Sequence, residues 1–165
     1  MIVETERLIL RKFTENDIDA LFEMNRIPEI LAYIPTEPFI KREQATKLYK
    51  TVILPNYEEF GFGRWAVHHK TDDKVIGFCG PKYIEELNEV ELGYRYFPDY
   101  WGKGIGFEAA KGALSSFPEH GIKSAIAMIL EGNVGSENIA KKVGMKWRNE
   151  DKFMGATINV FHKDL

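Results

Sequence analysis

Three glycines at alternate positions, Gly102, Gly104 and Gly106, carry the densest chemical signal in the chain. They separate a strand-like stretch, Val90 to Phe97, from an alanine-rich helical pattern that begins near Ile105. Glycine has no Cβ, so a ligand can come close to the main chain and the backbone can take positive φ. A helix that starts directly after such a loop exposes unpaired N–H groups at the positive end of its dipole. The pair of features forms a socket for phosphate, and predicts a domain that holds a phosphorylated cofactor. Two familiar nucleotide patterns do not match. A P-loop needs Ser or Thr directly after Gly-Lys, and here Gly104 follows Lys103. A dinucleotide fingerprint needs G-x-G-x-x-G, with an acidic residue in a strand about 20 positions on; this chain has G-x-G-x-G and no suitable acidic residue in a strand at that distance. A plain tight turn is the alternative that the loop alone leaves open.

The elements that must position this loop can be read from periodicity and from turn residues. Arg7 to Phe13 reads as a first strand. Thr14, with Asp17 three residues later, predicts a capped amphipathic helix carrying Ile18, Leu21, Phe22 and Met24. Pro28, Pro35 and Pro38 break the segment that follows, and a second helix runs from about Arg42 to Val52, ending before Pro55. Gly63 to His69 and Lys74 to Cys79 flank Thr71-Asp72-Asp73 as a hairpin, and Glu89 to Phe97 continues as a strand. The helix after the glycines should stop by Gly121, with Pro118 as a second signal. Ser124 to Leu130 is apolar throughout, like a buried central strand. Asn133 to Val143 reads as a short helix closed by Gly144, and Trp147 to Leu165 as a final hairpin turning near Gly155. The class is mixed α/β.

Composition narrows the setting. The 165 residues predict one domain, 1–165, with a sizeable core. The 25 acidic and 22 basic side chains leave a net charge of −3, which argues against a nucleic-acid partner. No apolar run reaches the roughly 20 residues that span a bilayer, and the charged Met1-to-Arg7 start does not read as a signal peptide. The lone Cys79 fits a reducing compartment, so the cytoplasm is the expected location and no membrane partner is expected. His68 and His69, on opposite faces of a predicted strand, have no metal-ligand spacing, and no metal is expected. His120 and His162 look peripheral. Tyr33, Phe39, Phe60, Phe62 and Trp65 surround the early helices and the second strand, with core packing as their default role.

The run Glu91-Leu92-Gly93-Tyr94-Arg95-Tyr96-Phe97-Pro98-Asp99-Tyr100-Trp101-Gly102-Lys103-Gly104 resembles the cofactor motif of the GNAT acyltransferase family. It is most similar to the ribosomal-protein N-acetyltransferase-like branch. Asn133-Val134-Gly135-Ser136, followed by a short helix and Gly144-Met145, resembles that branch's N-x-x-S segment. Glu4 to Arg11 resembles its first strand. The likeness thus touches the start, middle and end of the chain in order.

This resemblance implies a mixed, mostly antiparallel central sheet flanked by helices. Its fourth and fifth strands, here about 89–97 and 124–130, would splay apart to admit acetyl-coenzyme A. Main-chain groups of Tyr94 and Tyr96 would pair with the pantetheine arm, and one N–H of this stretch would stabilise the oxyanion. The N–H groups of Gly102, Lys103, Gly104, Ile105, Gly106 and Phe107 would hold the pyrophosphate, with the Lys103 side chain either adding charge or solvated. Asn133 would bond the pantetheine and Asn138 would lie near it. An amine near its aqueous pKa of about 10.4 must lose a proton before it attacks a thioester. Glu91, at the opening of the fourth strand, is the first candidate base. Ser136 is the first candidate acid, unless it only caps its helix, with Tyr94 and Tyr100 behind it. Glu85, Glu86 and Glu89 form either a solvated loop or an acidic entrance for a cationic amine.

Two positions depart from the family pattern. Trp101 stands where many relatives outside this branch have Arg or Gln, and is expected to pack on the helix. Ala140 stands where many relatives carry an acid tyrosine. The expected activity is acetyl transfer from acetyl-coenzyme A to a primary amine by direct attack in a ternary complex. The amine is either a small molecule or a protein N-terminus, and a homodimer is compatible with the family. The rival readings are a silent acyl-coenzyme A-binding module, favoured by Ala140, and a nucleotide-binding enzyme.

Overall fold

The computed structural model describes residues 1–34 and 36–165, so the break expected at Pro35 lies outside the described residues. Among the described residues, strands β1 (Val3–Glu4), β2 (Leu8–Lys12), β3 (Trp65–His69), β4 (Lys74–Ile84), β5 (Glu89–Tyr96), β6 (Ser124–Leu130), β7 (Lys146–Phe153) and β8 (Ala156–Asp164) form one open sheet. Their spatial order is β1-β2-β3-β4-β5-β6-β8-β7. Neighbours run antiparallel, except β5 and β6, which are parallel and meet at the pair Glu91 and Ile126. This is the mixed, mostly antiparallel architecture that the sequence predicts, and β5 and β6 are the strands expected to splay.

Helices cover both faces. On one face lie α1 (Ile18–Met24), α2 (Pro28–Leu31), α3 (Arg42–Leu48) and α4 (Leu54–Phe60); on the other lie α5 (Ile105–Ser116) and α6 (Val134–Lys142). Thr14 and Asp17 cap the entry to α1 as expected: the Thr14 N–H donates to Asp17 Oδ2 at 2.8 Å, and the Asn16 N–H donates to Thr14 Oγ1 at 3.2 Å. Helix α5 has the small, one-sided face that lets a helix settle closely on a sheet. Ile105, Ala109, Ala110, Ala113 and Leu114 are buried on that face, against a floor that includes Trp65, Cys79, Leu92 and Tyr96.

Pro28 separates α1 from the short α2, which it opens at the first helical position, where its missing N–H is not needed. One proline reading needs correction. The second helix does not end before Pro55. It passes through a wide turn, Tyr49–Ile53, in which the Leu54 N–H donates to the carbonyl of Tyr49, five residues back. That extra residue per turn accommodates the proline, which lacks an N–H and would clash in a regular ladder. The helix then runs to Phe60 and stops at Gly61, in the left-handed region at φ +78°.

Candidate active site

The geometry of the cleft follows from where β5 and β6 stop pairing. After Glu91 and Ile126 the described residues show no further register between these strands. In an antiparallel ladder, alternate residues turn their main-chain groups to opposite neighbours. The Phe97 N–H donates to the Ile76 carbonyl at 2.9 Å, continuing the β4–β5 register. Leu92, Tyr94 and Tyr96 therefore aim their N–H and C=O groups away from β4, towards β6. Beyond the closed end of the splay, the Tyr94 groups and the Tyr96 N–H have no partner among the described residues. The result is a free strand edge inside the molecule.

The Tyr96 carbonyl is different. It accepts the indole N–H of Trp101 at 2.8 Å, and Trp101 is 49% exposed. The expectation that Trp101 packs on the helix is therefore corrected: its indole lies over the rim of the splay and covers one of the groups assigned to the pantetheine.

The glycine loop sits at the open end. Gly102 and Gly104 have φ of +72° and +75°, a region that other residues enter only with strain. No described residue accepts a hydrogen bond from the N–H groups of Gly102, Lys103, Gly104, Ile105, Gly106 or Phe107; the first bond of the helix is Glu108 N–H to the Gly104 carbonyl, at 3.1 Å. Six successive donors beside a helix N-terminus fit the pyrophosphate of a coenzyme A well. A Cβ built on Gly102 would meet nothing within 4 Å, so the space above the loop is open. Gly106 serves packing instead. A Cβ there would come within 2.6 Å of Ile139 Cδ1, so this glycine lets α5 and α6 approach each other. The Lys103 ammonium lies over the Tyr100 ring, 5.7 Å from its centroid.

The loop has an anchor that sequence reading passed over. Arg7, noted only as part of the first strand, donates from Nη1 to the Lys103 carbonyl at 2.9 Å and from Nε to Glu108 Oε1 at 2.7 Å. Thr5 Oγ1 and the Arg7 N–H both donate to Glu108 Oε2. Nothing local in the sequence marks this contact, because about a hundred residues separate the partners.

Across the splay, Asn133 caps α6: its Oδ1 accepts the Ser136 N–H at 3.3 Å, and no described residue pairs with its Nδ2. Capping is thus the work of Asn133, and the Ser136 hydroxyl is free for something else. Ser136 Oγ donates to Tyr94 Oη at 3.1 Å, while the Tyr94 hydroxyl donates to the Ser136 carbonyl at 2.7 Å. The Tyr94 phenol is held protonated well above its ordinary range, chiefly by burial. Tyr100 is occupied elsewhere, donating to Asp72 Oδ2. Asn138 is exposed, and Ala140 is buried against the core.

Glu91 stands at the closed end of the splay, on the face covered by α1. Its Oε1 accepts from Arg64 Nη2, and Oε2 has no hydrogen-bond partner among the described residues. Arg64 also donates from Nη1 to the carbonyls of Gly80 and Glu91, at 2.8 and 3.1 Å. The guanidinium fills a slot made by missing side chains: a Cβ on Gly93 would lie 2.5 Å from Arg64 Cζ. Sequence reading missed Arg64 altogether. Of the acidic run, Glu85 and Glu86 are exposed in the β4–β5 turn, while Glu89 pairs with Arg148 at 2.7 and 3.0 Å. Cys79 is fully buried, which pushes its thiol up to about 12.

Similarity to known proteins agrees with this geometry. A model of the acetyltransferase (GNAT) domain family matches residues 7–146. The Bacillus licheniformis protein named "Uncharacterized N-acetyltransferase p20" is 32% identical over 81% of this chain and 73% of its own. A GNAT-family acetyltransferase from Bacillus anthracis shares the fold with a TM-score of 0.81, at 24% identity over 98% of this chain and 97% of that one. The spermidine N-acetyltransferase of Vibrio cholerae, solved with CoA and spermine, gives 0.82 at 18% identity over 97% and 96%. With the family domain spanning most of its length, this chain belongs to the acetyltransferase (GNAT) family and is an acetyl-coenzyme A-dependent acyltransferase.

Proposed function

We propose that the chain is a single-domain N-acetyltransferase of the ribosomal-protein N-acetyltransferase-like branch, moving an acetyl group to a primary amine by direct attack in a ternary complex. The observation that carries this reading is the alignment of a free strand edge at Tyr94 with six unpaired N–H groups from Gly102 to Phe107. Acetyl-coenzyme A supplies the activated acyl carbon and a thiolate leaving group. The N–H groups of the loop hold its pyrophosphate, while the Tyr94 main chain and Asn133 Nδ2 bond its pantetheine. Asn138 borders the cofactor from solvent.

Glu91 takes the proton from the incoming ammonium through its free oxygen, Oε2, directly or through a water, while Arg64 fixes the carboxylate on Oε1. The nitrogen lone pair then forms the new C–N bond, the C–S bond breaks, and a proton returns to sulfur. Ser136 and Tyr94 form the donor pair, which replaces the tyrosine that Ala140 lacks. Ser136 Oγ donates to Tyr94 Oη, so the two hydroxyls act as one donor, and the proton that the pair gives to sulfur returns to it from solvent. An amine acceptor, either small or a peptide N-terminus, fits the family; the spermidine enzyme of the same fold acts on one such amine.

The test is thiol release from acetyl-coenzyme A in the presence of a panel of amines and short peptides. Amine-dependent release is expected, lowered at least about tenfold by Glu91→Gln. Cofactor binding with no release for any amine would return the chain to the silent acyl-coenzyme A-binding reading.

A further inference from the structure

We infer that the acceptor is a small amine that also carries an acidic group, a carboxylate or a phosphate, which docks on Arg95 and Lys82 beside the splay. This rests on the acetyl-transfer reading above and names the class of its acceptor.

The face of β4 and β5 that α1 covers carries an excess of positive charge. Arg64 and Arg95 both lie over one ring, that of Phe78, 5.6 and 5.2 Å from its centroid. Lys82 stands directly opposite Glu91 in the β4–β5 register. Among the described residues, β4 and β5 place two carboxylates on this face and both are engaged, Glu91 by Arg64 and Glu89 by Arg148. Glu86 lies in the exposed turn and acts on Lys82 only at a distance. The acids of α1 are taken: Asp19 pairs with Arg42 at 2.5 Å and Glu23 with Arg26 at 2.6 Å.

Arg95 has no carboxylate partner among the described residues. Its Nη1 donates to two neutral acceptors, the Met24 carbonyl at 3.3 Å and Asn25 Oδ1 at 2.9 Å, and its Nε is buried with no acceptor. Burial, reinforced by repulsion from Arg64, brings the Arg95 guanidinium down to about 10, and the same two causes lower Lys82. Arg95 is a largely buried cation with no carboxylate partner, a costly arrangement, and Lys82 shares Glu91 with Arg64; charged groups perturbed in this way mark candidate ligand sites. Both residues keep some exposure, so that anion can reach them. Arg95 belongs to the strand that borders the splay, four residues along from Glu91. The two share one face of the strand, about 13 Å apart along it, and Lys82 stands across from Glu91, so an acid held between Lys82 and Arg95 lies on the same face as the proposed base. A polycation would meet repulsion instead.

The test is calorimetric titration of the coenzyme A-saturated protein with matched pairs: β-alanine against propylamine, O-phosphoethanolamine against ethanolamine, and spermidine as the polycation. At least one acidic probe should bind about tenfold or more tightly than its neutral counterpart, as expected for a charge-assisted contact. The pair that shows the gain tells carboxylate from phosphate. Arg95→Gln and Lys82→Gln should each shrink that advantage, and Arg95→Lys should restore part of it, with coenzyme A affinity checked for each variant as evidence of folding. Neutral amines or spermidine binding as tightly as both acidic probes would overturn the inference, as would an advantage that survives both glutamine variants. Selective binding of acidic amines with no thiol release would sink the transfer reading and reduce this one to an anion site without an acceptor; release indifferent to the acidic group would keep the transfer reading and overturn this one.

Discussion

At the scale of single residues, the cleft depends on side chains that are absent. Gly93 is the sharpest case. It has no need of positive φ; what it provides is room, since a methyl there would sit on the Arg64 guanidinium. Gly93→Ala should therefore expel Arg64 from its slot and cost about 1–3 kcal/mol, the usual penalty for overpacking. Urea unfolding of four proteins checks the cause: wild type, Gly93→Ala, Arg64→Ala and the double variant. If Arg64 is what the methyl strikes, the alanine at 93 costs clearly less in the Arg64→Ala background than in the wild type. Equal costs in both backgrounds would mean that the strand itself, and not the guanidinium, rejects the methyl. The glycine was visible in the sequence as part of the cofactor motif, but its partner was not. Arg64 reaches Glu91 across two strand pairings, and only the folded register brings them together.

At the scale of elements, local signals were legible and remote ones were not. Thr14 with Asp17, the alanine face of α5, and the stops at Gly121 and Gly144 each act within a few residues, so their chemistry could be read along the chain. The continuation of the second helix past Pro55 could not, because a wide turn depends on packing that the proline rule ignores. The anchoring of α5 by the bend between β1 and β2 was equally hidden. Glu108 joins these elements by accepting from Thr5, from the Arg7 N–H and from the Arg7 guanidinium. Burial alone would raise its carboxyl, but these bonds outweigh burial and hold it below the ordinary 4.5. A depressed folded-state pKa contributes stability that is present above the unfolded value and fades as pH falls through the folded one. The contribution should therefore be complete at pH 6 and decline progressively below about 4.5. Glu108→Gln should lose about 1–2 kcal/mol at pH 7, given that the pair is partly exposed, and little near pH 3. Melting curves of both proteins at the two pH values measure this. A deficit of equal size at pH 3 and pH 7 would show that the carboxylate charge plays no part.

At the scale of the whole molecule, the sheet is two half-sheets, β1 to β5 and β6 with β8 and β7, that meet at Glu91 and Ile126 and then diverge. The sequence made the splay legible through the family motif, while the strand order, with β8 inserted between β6 and β7, depends on pairings that no local pattern encodes. The divergence leaves main-chain donors of β5 unpaired between the half-sheets, beside the unpaired donors of the exposed α5 entrance. A ligand that bonds them would tie the halves together, and it would bind the folded chain alone. At a hundredfold excess over its dissociation constant, coenzyme A should then stabilise the fold by about 2.7 kcal/mol, or roughly 5–10 °C in Tm for a chain of this size. Amide exchange locates the effect. Protection should rise at Tyr94 and Tyr96 and from Gly102 to Phe107, while the β7–β8 hairpin, whose β7 strand is largely exposed, keeps its rates. A rise in Tm with protection confined to that hairpin would place the ligand on the wrong half of the sheet, and the splay would lose its claim to be the site.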